Sequence, residues 1–124
     1  MIHEFDPLIY PRKVWVTYDA TAKELNEMFP DGDGSGSMFT DDMSICYGMT
    51  CKVYDTTNDK GGVLIRFSNK DSMTSWNMAH ECVHAATGIF SYISAEISTS
   101  NDEPFAYLVT WLMRCCEATK EKYL

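Results

Sequence analysis

Apolar and polar positions alternate roughly through residues 13 to 18, KVWVTY, and their β-branched and aromatic side chains predict a strand. A helical period follows in AKELNEMF, 22 to 29, where Leu25, Met28 and Phe29 share one face and Asp19 or Thr21 can supply the cap. Pro30 then opens a loop rich in glycine and aspartate, PDGDGSGSMFTDD. Two further apolar runs, 44 to 55 and 62 to 68, are joined by the turn-rich TTNDKGG and predict an antiparallel hairpin. The next helix is expected from about 72 to 87, capped by Asp71 or Ser72 and stopped at Gly88. After a polar connection over 91 to 101, a last helix starts near Pro104 and presents Phe105, Leu108, Val109, Leu112 and Met113. The order strand, helix, hairpin, helix, helix predicts a single α+β domain over residues 1 to 124, with a small mixed or antiparallel sheet of about three strands packed on the last two helices.

A chain of 124 residues is long enough for one core and too short for two lobes with a cleft between them, so a site must lie open on one face. The net charge of −8, with Lys and Arg scattered singly, argues against nucleic-acid and anionic-membrane partners. Residues 1 to 18 hold acidic side chains and two prolines where a secretory signal needs basic and apolar stretches, and five cysteines are an odd number with a vicinal pair at Cys115 and Cys116. Reduced thiols and a cytoplasmic, intracellular location are therefore the expectation.

The chemistry concentrates in MAHECVHAAT, residues 78 to 87. Residues four apart on a helix stand one above the other, so His80 and His84 can converge on one ion at the zinc–nitrogen distance of about 2.0 to 2.1 Å. Glu81 points about 100° further round the axis, where it can serve a water as general base. A histidine on a helix is more often a surface or satisfied core residue than a ligand. Here the neighbourhood is otherwise nearly apolar, and two imidazoles and a carboxylate in it call for a partner such as a cation.

A third ligand is available in Glu103, separated from His84 by eighteen residues. With His80-Glu81-Cys82-Val83-His84 and that glutamate, the sequence resembles the gluzincins, metallopeptidases that pair H-E-x-x-H with a glutamate on a following helix. Asn101-Asp102-Glu103-Pro104-Phe105-Ala106 is similar to the N-E-G-F-A context of the aminopeptidase branch, with one residue inserted and Pro in place of Gly. The element order also looks like that of minimal gluzincin-type domains, including small phage-encoded ones. The resemblance implies a zincin-like fold with an active-site helix and a glutamate-bearing helix. It further implies Zn2+ held by His80, His84 and Glu103, with Glu81 as the catalytic base. Tyr107 stands where thermolysin-like members place an aspartate supporting a histidine, which leaves Asp102 or Asn77 for that role. The plain reading of Glu103 is an acidic residue at a helix start, where it complements the macrodipole; Asp102 and Glu96 are substitutes as ligands. The metzincin pattern does not fit, because Thr87 and Phe90 occupy the positions of its glycine and third histidine.

The expected reaction is hydrolysis of a peptide or other amide, with Tyr107 or Tyr92 as donor to the developing oxyanion. A peptide or protein substrate can pair with GVLIRFS, or with its hairpin partner, if one of them is a sheet edge. A homodimer or protein partner can complete a site this open. The alternatives are a zinc-containing interaction module without catalysis and a metal-free interaction domain. A separate calcium loop is suggested by Asp31, Asp33, Ser35 and Gly36, with Asp42 at the twelfth place; a mobile acidic connection is the plainer reading.

Overall fold

The computed structural model describes residues 1–30, 39–42 and 46–122. Within them, strands β1 (Ile2–Phe5), β2 (Lys13–Tyr18), β3 (Gly48–Asp55) and β4 (Lys60–Phe67) form one mixed sheet in the order β1-β2-β4-β3. The helices are α1 (Ala22–Met28), α2 (Ser75–Tyr92) and α3 (Glu103–Glu121), and a 3-10 turn at Lys70–Ser72 precedes α2. The architecture is α+β. The sheet has four strands where the sequence suggested about three, because the N-terminal IHEF pairs antiparallel with β2. β2 and β4 run parallel with Lys13 opposite Gly62, whereas β3 and β4 form the expected antiparallel hairpin.

Alternation along the strands divides the core. Val14, Val16, Tyr18, Val63, Ile65 and Phe67 face α2 and α3, against Met78, Cys82, Ala85, Ile89, Leu112 and Cys116. Trp15, Leu64 and Val53 face the other way and are covered by Leu25 of α1, by Phe29 just after its end and by Phe39. Phe39 is pinned there because the Asn26 side chain donates to its carbonyl at 3.0 Å and accepts from its N–H at 2.8 Å. With both faces covered, β2 and β4 are buried over most of their length.

Helix ends follow the sequence expectation at the start of α1 and depart from it at both ends of α2. Thr21 caps α1, its hydroxyl accepting from Glu24 N–H at 3.2 Å. Thr74, not Asp71 or Ser72, caps α2, and Asn69 caps the 3-10 turn before it. Gly88 does not stop α2, which continues to Tyr92. Its lack of a side chain serves packing instead, since a Cβ there would approach Val63 Cγ1 to 3.0 Å. A tighter constraint sits at Gly62, where a Cβ would lie 1.9 Å from the Lys13 carbonyl oxygen. Backbone cannot yield as a flexible side-chain tip can. Gly62→Ala is therefore expected to lose about 3 kcal/mol in urea unfolding. Gly61→Ala, whose Cβ would meet Tyr54 at an ordinary 3.5 Å, should change little.

Candidate functional site

Three faces of α2 have three different jobs. Cys82 points to α3, with its sulfur 3.6 Å from that of Cys116, and Phe90 meets Phe105 edge-on at 5.4 Å. Met78 and Ala85 go into the core beneath the sheet. His80 and His84 are each two positions from Cys82, so they project roughly 160° around the axis from the α3 direction. Both are exposed, and their Nε2 atoms approach to 3.2 Å.

Glu81 is the buried polar residue among them, at 8% exposure. Thr50 of β3 donates its hydroxyl to Glu81 Oε1 at 2.7 Å and also lies 3.3 Å from the Glu81 carbonyl oxygen. The edge strand therefore holds this carboxyl group in place. Alternation along β3 turns Met49, Cys51 and Val53 to α1 and leaves Thr50 and Lys52 on the α2 side. Thr50 had no place in the motif-based reading because its partner is 31 residues away.

Two cavities lie between β3 and α2, one on either side of the Thr50–Glu81 contact. One cavity, of about 500 Å³, is lined by Tyr47, Gly48, Trp76, Asn77, His80 and Glu81. The other, of about 310 Å³, is lined by Thr50, Lys52, Val63, His84, Gly88 and Ser91 among others. Trp76 is 72% exposed, an unusual position for so large an apolar side chain. Burial pushes the nearby Cys51 thiol up to about 11, opposed by the charge of Arg66, so it is a neutral thiol at pH 7.

The remaining candidates fall elsewhere. Glu103 is the first residue of α3 and exposed, and Asp102 precedes it as a cap without a side-chain bond. The contacts of Phe90 with Phe105 and of Cys82 with Cys116 make α2 and α3 antiparallel, which sets Glu103 beyond the level of Phe90. That is at least six residues, roughly 9 Å, along the axis from His84. Among the described residues no group of three His, Cys, Asp or Glu side chains could hold a metal ion. The structure thus brings His80 and His84 together, engages Glu81 with Thr50, and leaves Glu103 apart from them. Tyr107 is 71% exposed on α3, while the Tyr92 hydroxyl already donates to the Gly62 carbonyl at 3.1 Å. Asn77 lines the first cavity, but its amide donates to Ser72 O at 2.9 Å and is committed to the helix start. Glu96 is exposed in the connection between α2 and α3. Asp31, Asp33, Ser35 and Gly36 lie outside the described residues; Asp42 is exposed, with its N–H donating to Thr40 Oγ1 at 3.3 Å.

Compared with protein-family models, with curated proteins and with solved structures, the chain matches none. No helix among the described residues is long and apolar enough to cross a membrane.

Because Thr50 is the partner that satisfies a largely buried carboxyl group, Thr50→Val is expected to cost about 1 to 3 kcal/mol in chemical denaturation. Thr50→Ser, which keeps the hydroxyl, should recover most of that loss.

Proposed function

We propose that this chain is a zinc-dependent peptide hydrolase, with His80 and His84 as metal ligands and Glu81 as general base. The observation that carries the reading is the 3.2 Å separation of the two Nε2 atoms. Two nitrogens each bound at about 2.0 to 2.1 Å to one ion with tetrahedral angles stand about 3.3 Å apart. Their donor set and spacing therefore fit zinc as two of its ligands. When bound there, zinc would supply a lowered pKa for water and a polarised substrate carbonyl.

The chain's own residues would do the rest. Glu81, held by Thr50, accepts the proton of the attacking water and returns it to the leaving amine. β4 is central in the sheet, so GVLIRFS does not offer a free edge; its hairpin partner β3 is the outer strand. An extended substrate would lie along β3, with main-chain pairing for affinity and alternate side chains directed into the two cavities. Exposed Trp76 and Tyr47 suit a large apolar substrate side chain in the first of them.

Glu103 is the third ligand that the motif spacing favours. Ligation by it requires the start of α3 to move from its present packing, with loss of the Phe90–Phe105 contact. Zinc content decides the matter independently of activity. His80→Ala and His84→Ala are each expected to lose the single equivalent that the wild type retains after dialysis. Glu81→Gln should keep the metal and lose peptide hydrolysis by a factor of about 10² or more. If Glu103→Ala also keeps the full equivalent, Glu103 is not a ligand. Zinc retained by the wild type without any peptide cleavage would leave a zinc-containing interaction module, and no zinc in the wild type would overturn the metal reading.

A further inference from the structure

Four of the chain's ten basic residues, Arg12, Lys13, Lys52 and Lys60, line one cavity of about 720 Å³ where the β3–β4 turn meets the C-terminal end of α2. In a protein of net charge −8 this is a local reversal of sign. Two of the four are neutralised from outside the cavity: Lys13 by Asp6 at 2.6 Å and Lys60 by Glu4 at 3.1 Å. Arg12 and Lys52 have no carboxylate partner among the described residues. Among the described residues, Asp59 is the acidic residue that lines the cavity.

Arg12 and Lys52 are gathered by one aromatic ring. The guanidinium carbon lies 4.7 Å and the ammonium nitrogen 4.8 Å from the centroid of Tyr92. Tyr92 is itself fixed, because its hydroxyl donates to the Gly62 carbonyl, and Lys52 Nζ donates to Ser91 Oγ at 2.8 Å. Attraction to the ring face offsets part of the repulsion between the two cations. An anion between them would offset more.

The position along β3 gives the anion its setting. Lys52 lies two residues along β3 from Thr50 and on the same side, roughly 7 Å further on, and Tyr54 follows by the same step into the basic cavity. We propose that the basic cavity is a specificity site for a carboxylate on the bound peptide, two to four residues from the position opposite Thr50. This rests on the peptide path proposed above and deepens it: the substrate class is an acidic peptide. The carboxylate can be a Glu or Asp side chain or the peptide's own C-terminus.

Binding to metal-free wild-type protein tests this without requiring catalysis. The probes are end-blocked peptides that carry either Glu or Gln four residues to one or the other side of a central Phe, so that both side chains fall on one face of the extended peptide, and a neutral peptide with a free or amidated C-terminus. At low salt, a carboxylate-bearing peptide is expected to bind about five- to tenfold more tightly than its neutral twin. It should shift the backbone NMR signals of Lys52, Tyr54 and Tyr92. Arg12→Gln with Lys52→Gln should make the twins equal while leaving the fold unchanged. Preference for the Glu peptides assigns the site to side chains, and preference for the free C-terminus alone assigns it to chain ends. Equal binding of all twins by the wild type, or a preference that survives both substitutions, overturns the proposal. Acid-selective binding with no cleavage after zinc is added would end the hydrolase reading and leave this site standing. Cleavage indifferent to charge and to Lys52 would do the reverse.

Discussion

One carboxyl group, largely buried between the edge strand and α2, ties the edge of the sheet to the central helix. Glu81 emerges from α2 toward β3, and a polar group so buried costs about 1 to 3 kcal/mol if it is left without a partner. Thr50 meets it from the outermost strand. That contact fixes β3 laterally against α2, and the helix geometry then leaves His80 and His84 at the rim of the two cavities, opposite the side that packs on α3. The arrangement of the site follows from satisfying Glu81.

The α2–β3 face has chemically distinct ends. Toward the start of α2 it offers the exposed faces of Trp76 and Tyr47. Toward the end of α2 it offers Arg12 and Lys52, set over Tyr92. The histidine pair lies between them. Glycines permit this close assembly at two points: Gly62 lets β2 and β4 pair in parallel, and Gly88 lets α2 lie against Val63. An acidic chain thus confines several of its few cations to one end of its edge strand.

Local pattern was enough to read the elements that carry strong periodicity. The strand at 13 to 18, the hairpin and the two long helices all follow from it. The first strand was not, because IHEF is too short to show a period and gains its structure from pairing with β2. The end of α2 was misplaced because Gly88 has the same sequence appearance whether it caps a helix or makes room for a neighbour. At the site, i,i+4 spacing correctly brought His80 next to His84, a relation contained within one helix. The placement of Glu103 depends on how two helices pack, and spacing along the chain does not specify it: Cys82 and Cys116 fix a rotation of α2 that turns the histidines from α3. Thr50, Lys52 and Arg12 become significant only once β3 is known to be the edge beside α2.

The proposed zinc site requires the imidazoles of His80 and His84 to share one ion at the rim of the α2–β3 cavities. A crystal structure of the zinc-loaded protein, with data recorded on both sides of the zinc absorption edge, tests it most directly. The account predicts a single strong anomalous peak within about 2.0 to 2.2 Å of both Nε2 atoms, with the Thr50–Glu81 bond intact beside it. A peak elsewhere, or two imidazoles turned apart with no metal between them at saturating zinc, would contradict it.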